Sequence, residues 1–253
     1  MLCTKNFKER FGIVTGAASG MGLATAKLLA ERGAGVAMVD LNLEQLHQVE
    51  KEIKNEGGQV IAIQADVGKE VSVSLVSQET LKAFGSIDFL VNDAGILRDT
   101  TFVNLEPAEW DQVIAVNLRG PYLCCRAVIP HMMAQKKGVI VNVSSMAGRS
   151  ISGSCGAHYT AAKAGLLGLT RQLAVEMGPY GIRVNAFCPG PTLTPMVTNL
   201  LTREKILEKS APIPLRRFAQ PKEQASVIAF LLSDESSFIT GASIDSNGGV
   251  LML

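Results

Sequence analysis

Phe11-Gly12-Ile13-Val14-Thr15-Gly16-Ala17-Ala18-Ser19-Gly20-Met21-Gly22 is a short β-branched run ending in a glycine-rich turn, and a segment of helical period, Gly22 to Arg32, follows at once. A strand that hands over to a helix through glycines is the opening unit of a doubly wound α/β sheet. The glycines let backbone amides and the helix N-terminus approach a pyrophosphate. Their spacing, G-x-x-x-G-x-G, differs from the commoner G-x-G-x-x-G, so taken alone the turn reads also as a tight strand-to-helix connection. Its place at the first strand–helix junction favours the nucleotide.

The same alternation continues along the chain. β-branched and small apolar runs at Gly35 to Asp40, Gln59 to Gln64, Ile87 to Val91, Gly138 to Val143, Ile182 to Phe187 and Ser243 to Asp245 punctuate it. Between them lie helix-period segments at Leu43 to Glu56, Glu70 to Phe84, Pro107 to Gln135, His158 to Met177 and Lys222 to Leu232. Right-handed crossovers between parallel strands produce this rhythm, and near-continuous apolar strands signal a sheet covered on both faces. The expectation is an α/β protein: one Rossmann domain over residues 1–253, a doubly wound parallel sheet of about seven strands with helices on both faces. Pro189 to Pro221 breaks the rhythm. Its prolines, a short helical stretch near Arg203 to Lys209, and the apolar Leu193, Met196, Val197, Leu200 and Leu201 suit a substrate lid at about 190–218.

With 47% hydrophobic and 19% charged residues, the 253-residue chain can bury a large core, and its net charge of +1 offers no electrostatic case for nucleic acid or an anionic membrane. The five cysteines, Cys3, Cys124, Cys125, Cys155 and Cys188, lack C-x-x-C spacing and a histidine-rich partner segment, so neither a metal site nor a disulfide framework is expected. Reduced thiols, no membrane-length apolar run and no secretory leader point to a soluble, cytoplasmic protein.

Asp40, ending the second strand, is placed to accept hydrogen bonds from an adenosine ribose and to repel a 2′-phosphate, and Ser19 and Leu41 beside it supply no cation. NAD is therefore expected in preference to NADP, the other reading of Asp40 being a turn or N-cap aspartate. Asp66 and Val67, after the third strand, would face the adenine, although Asp66 reads equally as a turn residue. Tyr159 and Lys163 stand four apart on a helix-period segment and so share a face. A nearby ammonium favours the phenolate and lowers tyrosine from its usual pKa near ~10 toward the range of a general acid/base. Reaching neutrality takes roughly 4 kcal/mol of preferential phenolate stabilisation, from Lys163 and the oxidised nicotinamide together. Taken alone the pair is a common surface spacing, and Ser145 upstream gives it a partner.

These motifs, in this order, are similar to those of the short-chain dehydrogenases/reductases over essentially the whole chain. The glycine turn Thr15 to Gly22, Asn92-Asp93-Ala94-Gly95 against the family's N-N-A-G, Asn117 before Gly120, Ser145 in Ser145-Met146-Ala147-Gly148, Tyr159 with Lys163, and Pro189-Gly190 with Thr192 and Thr194 carry the resemblance. Ser144 does not fit S-x-x-G. Gly95 to Asp99 and the stretch from Ile213 through Gly249 resemble the branch containing 3-oxoacyl-acyl-carrier-protein reductases.

The resemblance implies Asn117, Ser145, Tyr159 and Lys163 as catalytic residues. Tyr159 exchanges a proton with a secondary alcohol or ketone, Ser145 steadies the substrate oxygen, Lys163 binds the nicotinamide ribose, and Asn117 holds a relay water or else bonds locally to backbone. Cofactor contacts are implied from Gly16, Ser19, Gly20, Met21, Gly22, Asp40, Asp66, Val67, Asn92, Ala94, Gly95, Tyr159, Lys163, Pro189, Gly190, Thr192 and Thr194, with Thr192 alternatively capping a turn. A homodimer or homotetramer is implied as well. Cys124, Cys125, Met132 and Met133 read as core or subunit contact, and Val250 to Leu253 as a further interface.

Three departures stand out. Asp93 replaces an asparagine whose amide is thought to brace the sheet beside the cofactor. The spacing from Ser145 to Tyr159 is one residue longer than in many relatives, with Ser152 to Gly156 absorbing it beside the substrate. Asp40 disagrees with the carrier-protein reductases, which commonly use NADPH. The leading expectation is thus an NAD-dependent alcohol dehydrogenase or ketone reductase, and the alternative an NADPH-dependent 3-oxoacyl-thioester reductase. A non-catalytic dinucleotide sensor is disfavoured, because such proteins usually lose the tyrosine or the lysine. His158 reads as a packed residue, Cys155 as pocket lining, and Arg149 and Arg98 as the cations placed to reach an anionic substrate.

Overall fold

The computed structural model describes residues 6–151 and 153–253; Cys3 and Ser152, the latter in the loop expected to border the substrate, lie outside the described residues. Strand β1 (Phe11–Thr15) is enclosed from Gly12 onward, as its unbroken apolar run requires. It pairs in parallel with β2 (Gly35–Asp40) on one side and β4 (Phe89–Asn92) on the other. Beyond these lie β3 (Gln59–Gln64), β5 (Gly138–Val143), β6 (Ile182–Pro189) and β7 (Ser243–Ser246), in the order β3-β2-β1-β4-β5-β6-β7. The winding reverses between β1 and β4, so the connections leaving their C-terminal ends part around a crevice, the place where such sheets bind ligands.

The helices are α1 (Gly20–Glu31), α2 (Leu43–Asn55), α3 (Glu70–Phe84), α4 (Pro107–Ile114), α5 (Gly120–Gln135), α6 (Ala157–Met177), α7 (Pro195–Thr198), α8 (Arg203–Ser210) and α9 (Pro221–Leu232). One core packs α1, α2 and α9 on the sheet through Leu29, Leu46, Phe89, Phe187 and Leu231. The other packs α3, α5 and α6 through Ile13, Val76, Leu90, Val128 and Ile140, and it includes Cys124, Cys125 and Met132. Among the described residues no helix is long and apolar enough to cross a membrane.

The single helix expected over Pro107 to Gln135 is instead α4 and α5 joined by a π-helical turn, Ala115–Arg119. Pro121 is the cause legible in the chain, since it has no N–H to offer the carbonyl of Asn117. The excursion after β6 contains α7 and α8, and a bridge between Thr192 and Ala219 brings its two ends together. Close packing is most demanding at Gly12, where a Cβ would stand 2.2 Å from the Phe89 carbonyl oxygen. Gly12→Ala is expected to lower the free energy of unfolding by about 3 kcal/mol, read as a shifted urea midpoint with unchanged slope.

Candidate active site

Gly16 and Gly20 hold φ of +70° and +60°, and a Cβ on Gly22 would stand 2.3 Å from the Gly16 carbonyl oxygen, so the tight turn into α1 needs glycine at all three places. Ser19, at the N-cap of α1, is exposed and its side chain does not cap the helix, so the Gly20 and Met21 amides are left to an outside acceptor at the positive end of the helix dipole. Half-buried Met21 packs on the core beneath. A Cβ on Gly20 would meet Thr194 Cγ2 at 3.4 Å, so the glycine turn and the start of the excursion form two walls of one cradle. At its β2 end the carboxylate of Asp40 is fixed: Oδ2 accepts from the Ala18 amide (3.2 Å) and Oδ1 from that of Asn42 (3.1 Å).

Thr15 organises the floor of the crevice. Its hydroxyl donates to Val91 O (3.3 Å) and accepts from the amides of Asp93 and Ala94 (both 3.1 Å), tying the end of β4 to β1. The side chain of Asn92 turns the other way, donating to Asn142 Oδ1 (2.8 Å), and Asn142 donates to Thr170 Oγ1 (3.0 Å). Thus the bracing amide is Asn92, and Asp93 is turned toward the glycine turn, where a Cβ on Gly22 would lie 2.9 Å from its Oδ2. Strand alternation sends neighbouring residues to opposite faces. The Asn92 side chain is thus engaged as a sheet brace.

Four side chains meet beyond Gly95. Asn117 is fully buried on the π turn; its amide donates to Ile96 O (2.9 Å) and Val113 O (3.1 Å), and its Oδ1 accepts from Ile96 N (3.2 Å). A Cβ at Gly95 would stand 2.7 Å from that Oδ1 and 3.7 Å from Lys163 Nζ, so glycine here lets the two groups converge. Lys163 Nζ donates to Val143 O (2.8 Å) and lies 5.7 Å from the centroid of the Tyr159 ring. Ser145 Oγ accepts from the Ala147 amide (3.1 Å), which leaves its own proton to donate, and it lies close enough to Tyr159 to favour the ionised phenol. Ser144, by contrast, is buried and donates to Lys163 O.

The electrostatics correct one expectation. The Tyr159 phenol is held above its ordinary value: burial is the largest cause, the Cys155 and Asp93 charges add to it, and Ser145 opposes it. Burial also brings Lys163 down to about 8, with Asp93 and Cys188 acting the other way. Desolvation is therefore the dominant influence on both groups.

A family model described as enoyl-(acyl carrier protein) reductase matches residues 16–251. The chain belongs to the short-chain dehydrogenase/reductase family. It is similar to the 3-oxoacyl-[acyl-carrier-protein] reductase FabG of Thermotoga maritima, 42% identical over 95% of this chain and 97% of that one. It is also similar to the (2S)-[(R)-hydroxy(phenyl)methyl]succinyl-CoA dehydrogenase subunit BbsD of Thauera aromatica, 39% identical over 96% of each. A solved 3-oxoacyl-[acyl-carrier protein] reductase with bound NAD from Brucella melitensis superposes with a TM-score of 0.92 at 37% identity, covering 100% of this chain and 95% of that one. This short-chain dehydrogenase/reductase is an oxidoreductase acting on a CH–OH or keto group, and a nicotinamide dinucleotide is its cofactor class. The cradle suits that group: a turn that only glycines can close, uncapped amides for a pyrophosphate, and a fixed carboxylate at the far end.

Within the dehydrogenase/reductase site, other expected contacts are already engaged. Asp66 accepts from the Gly68 amide (3.0 Å) and faces Lys69, while Val67 packs its side chain toward Gly120. Pro189 is buried at the end of β6, and Gly190 lies against Asn247 with its amide on Ser246 O. The Thr192 hydroxyl donates to Gly190 O and accepts from Gln224. Arg149 donates to Asp245 Oδ2 (2.6 Å) and Ser243 O, so it is a brace from the Ser145 loop to β7 rather than a cation for substrate. His158 is fully buried beside Glu109 (3.0 Å), as a packed residue, and half-buried Cys155 packs in the cluster that holds Tyr159. Thr15, Val143 and Gln224 were missed by sequence reasoning; a threonine, a carbonyl and a helix glutamine carry no local signal of these contacts. Thr15→Val leaves two amides without their acceptor and is expected to cost about 2 kcal/mol in unfolding free energy, with weaker dinucleotide binding by fluorescence titration.

Proposed function

We propose that the chain is an NAD(H)-dependent oxidoreductase that interconverts a secondary alcohol and a ketone, with Tyr159 as general acid/base. One observation carries the cofactor preference: the Asp40 carboxylate is locked by two backbone amides at the β2 end of the cradle, where a 2′-phosphate would meet a fixed negative charge. The dinucleotide supplies the hydride acceptor or donor. Everything else is the work of the chain. Tyr159 stays protonated at neutral pH, the form that donates to a ketone oxygen in reduction. Ser145, its oxygen pinned by Ala147, donates to the same substrate oxygen as charge develops there. Lys163 spends one of its N–H groups on Val143 O and keeps two for ribose hydroxyls. Asn117 fixes the Ile96 loop through its side chain, and its carbonyl, denied a helical donor by Pro121, is the acceptor for a relay water.

The excursion at about 190–218 acts as the substrate lid. Its exposed Met196, Leu200 and Leu207 and the engaged state of Arg149 favour an apolar body around the reacting carbon. A second reading, NADPH-dependent reduction of a 3-oxoacyl thioester, draws support from the 42% identity to a protein named for that reaction. A homotetramer or homodimer in the cytoplasm completes the proposal, supported by the exposed Trp110 and Tyr122 on α4 and α5 and the exposed Val250, Met252 and Leu253.

Steady-state rates with NAD and NADP on secondary alcohols, hydroxy acids and 3-hydroxyacyl thioesters separate the readings. NAD is expected to be preferred, and Asp40→Ser to raise kcat/KM for NADP by about tenfold, roughly 1.4 kcal/mol; a wild-type preference for NADP overturns the Asp40 argument. Tyr159→Phe is expected to cut turnover by about 10² to 10⁴ while NADH fluorescence titration shows unchanged binding.

A further inference from the structure

Asp93 is a half-buried ionisable group of the cleft that the chemistry above does not use. Its Oδ2 lies under Gly22, whose amide acts on it as a hydrogen-bond donor, while Oδ1 is buried with no hydrogen-bond partner. The Asp93–Ala94 backbone touches Gly16 from below, at 3.0 Å from where a Cβ would be. The carboxyl thus sits inside the N-terminus of α1, the helix end whose outer amides are open to an acceptor. Two anions on one helix end repel, and little solvent intervenes to screen them. The charged and titratable groups facing Asp93 are Lys163 and Tyr159 from α6 and Asp40 from β2, and the Gly16 to Gly22 turn holds no ionisable side chain.

We propose that Asp93 couples dinucleotide binding to uptake of one proton: an ionised Asp93 opposes the pyrophosphate across the first turn of α1, and the bound state carries a proton on Oδ1. This rests on the dinucleotide reading of the cleft. The proton comes from solvent, one O–H bond forms, and no other bond changes. Burial, stronger than the opposing effects of Lys163 and the Gly22 amide, pushes the Asp93 carboxyl up to about 7. Since the bound state favours the protonated form, affinity is full below that value and falls by up to about tenfold per pH unit above it. Lys163 loses charge in the same direction near pH 8, so affinity alone does not isolate Asp93.

Infrared difference spectra on adding NADH at pH ~8 read the carboxyl directly. The expected result is a growing protonated-carboxyl C=O band that shifts on ¹³C-aspartate labelling and is absent from Asp93→Asn. That variant, unable to ionise, is expected to bind NADH about tenfold more tightly than wild type at pH ~8. NADH binding with no such band, or with the same band in Asp93→Asn, overturns the proposal and leaves the dinucleotide reading standing. Absence of binding by NADH and NADPH alike overturns both. Where Asp93→Asn fails to fold, Asp93→Glu makes the assignment: its band is expected no longer to shift on ¹³C-aspartate labelling, and a band that still shifts overturns the proposal.

Discussion

One hydroxyl ties together the ends of the two strands between which the sheet reverses its winding. Thr15 Oγ1 donates to Val91 and accepts from the amides of Asp93 and Ala94, so the ends of β1 and β4 are fixed against each other just where their following loops diverge. The glycine turn leaves from one of these ends, and the Ala94–Gly95 segment that approaches Asn117 and Lys163 leaves from the other. The cradle and the proton-transfer groups therefore share a common origin. A shift of β4 relative to β1 would move both, which is why so modest a contact sets the geometry of the whole cleft.

Around that origin the chain gathers ionisable groups in a place that disfavours charge. Tyr159 is pushed up, Lys163 is brought down and Asp93 is pushed up, and burial is the first cause in each case. The cleft holds these groups closer to neutral than they would be in water, so their charges respond to what binds there. Fixed backbone contacts do the positioning meanwhile: Val143 O holds Lys163, the Ala147 amide holds Ser145, and Ile96 holds Asn117. Rigid placement with adjustable charge is the arrangement acid–base chemistry requires.

Much of this was legible in the chain. The β-branched runs marked seven strands because parallel strands covered on both faces leave no alternation to confuse with a helix, and the sheet has that number. The glycines of the first turn were also readable from spacing, and the family's S-x-x-G favoured Ser145 over Ser144, whose hydroxyl turns inward to the Lys163 carbonyl. The partition of the long segment into α4, a π turn and α5 was not, although Pro121 carries its cause. Nor were the engaged states of Thr192 and Arg149, whose partners Gln224 and Asp245 are found through folding rather than through any local pattern.

By itself the sequence determined the alternation of strands and helices and the place of the glycine turn, because these follow from backbone conformational limits and from periodicity along the chain; the serine, tyrosine and lysine were legible through their resemblance to the family's order. The tertiary structure decided which way each polar side chain faces and what it has already spent its hydrogen bonds on. It placed Asn92 in the sheet interior and Asp93 beneath α1, and it set burial against attraction at Tyr159. Those outcomes depend on residues far apart in the chain and on the exclusion of water, and desolvation exists only once the chain has closed around a group.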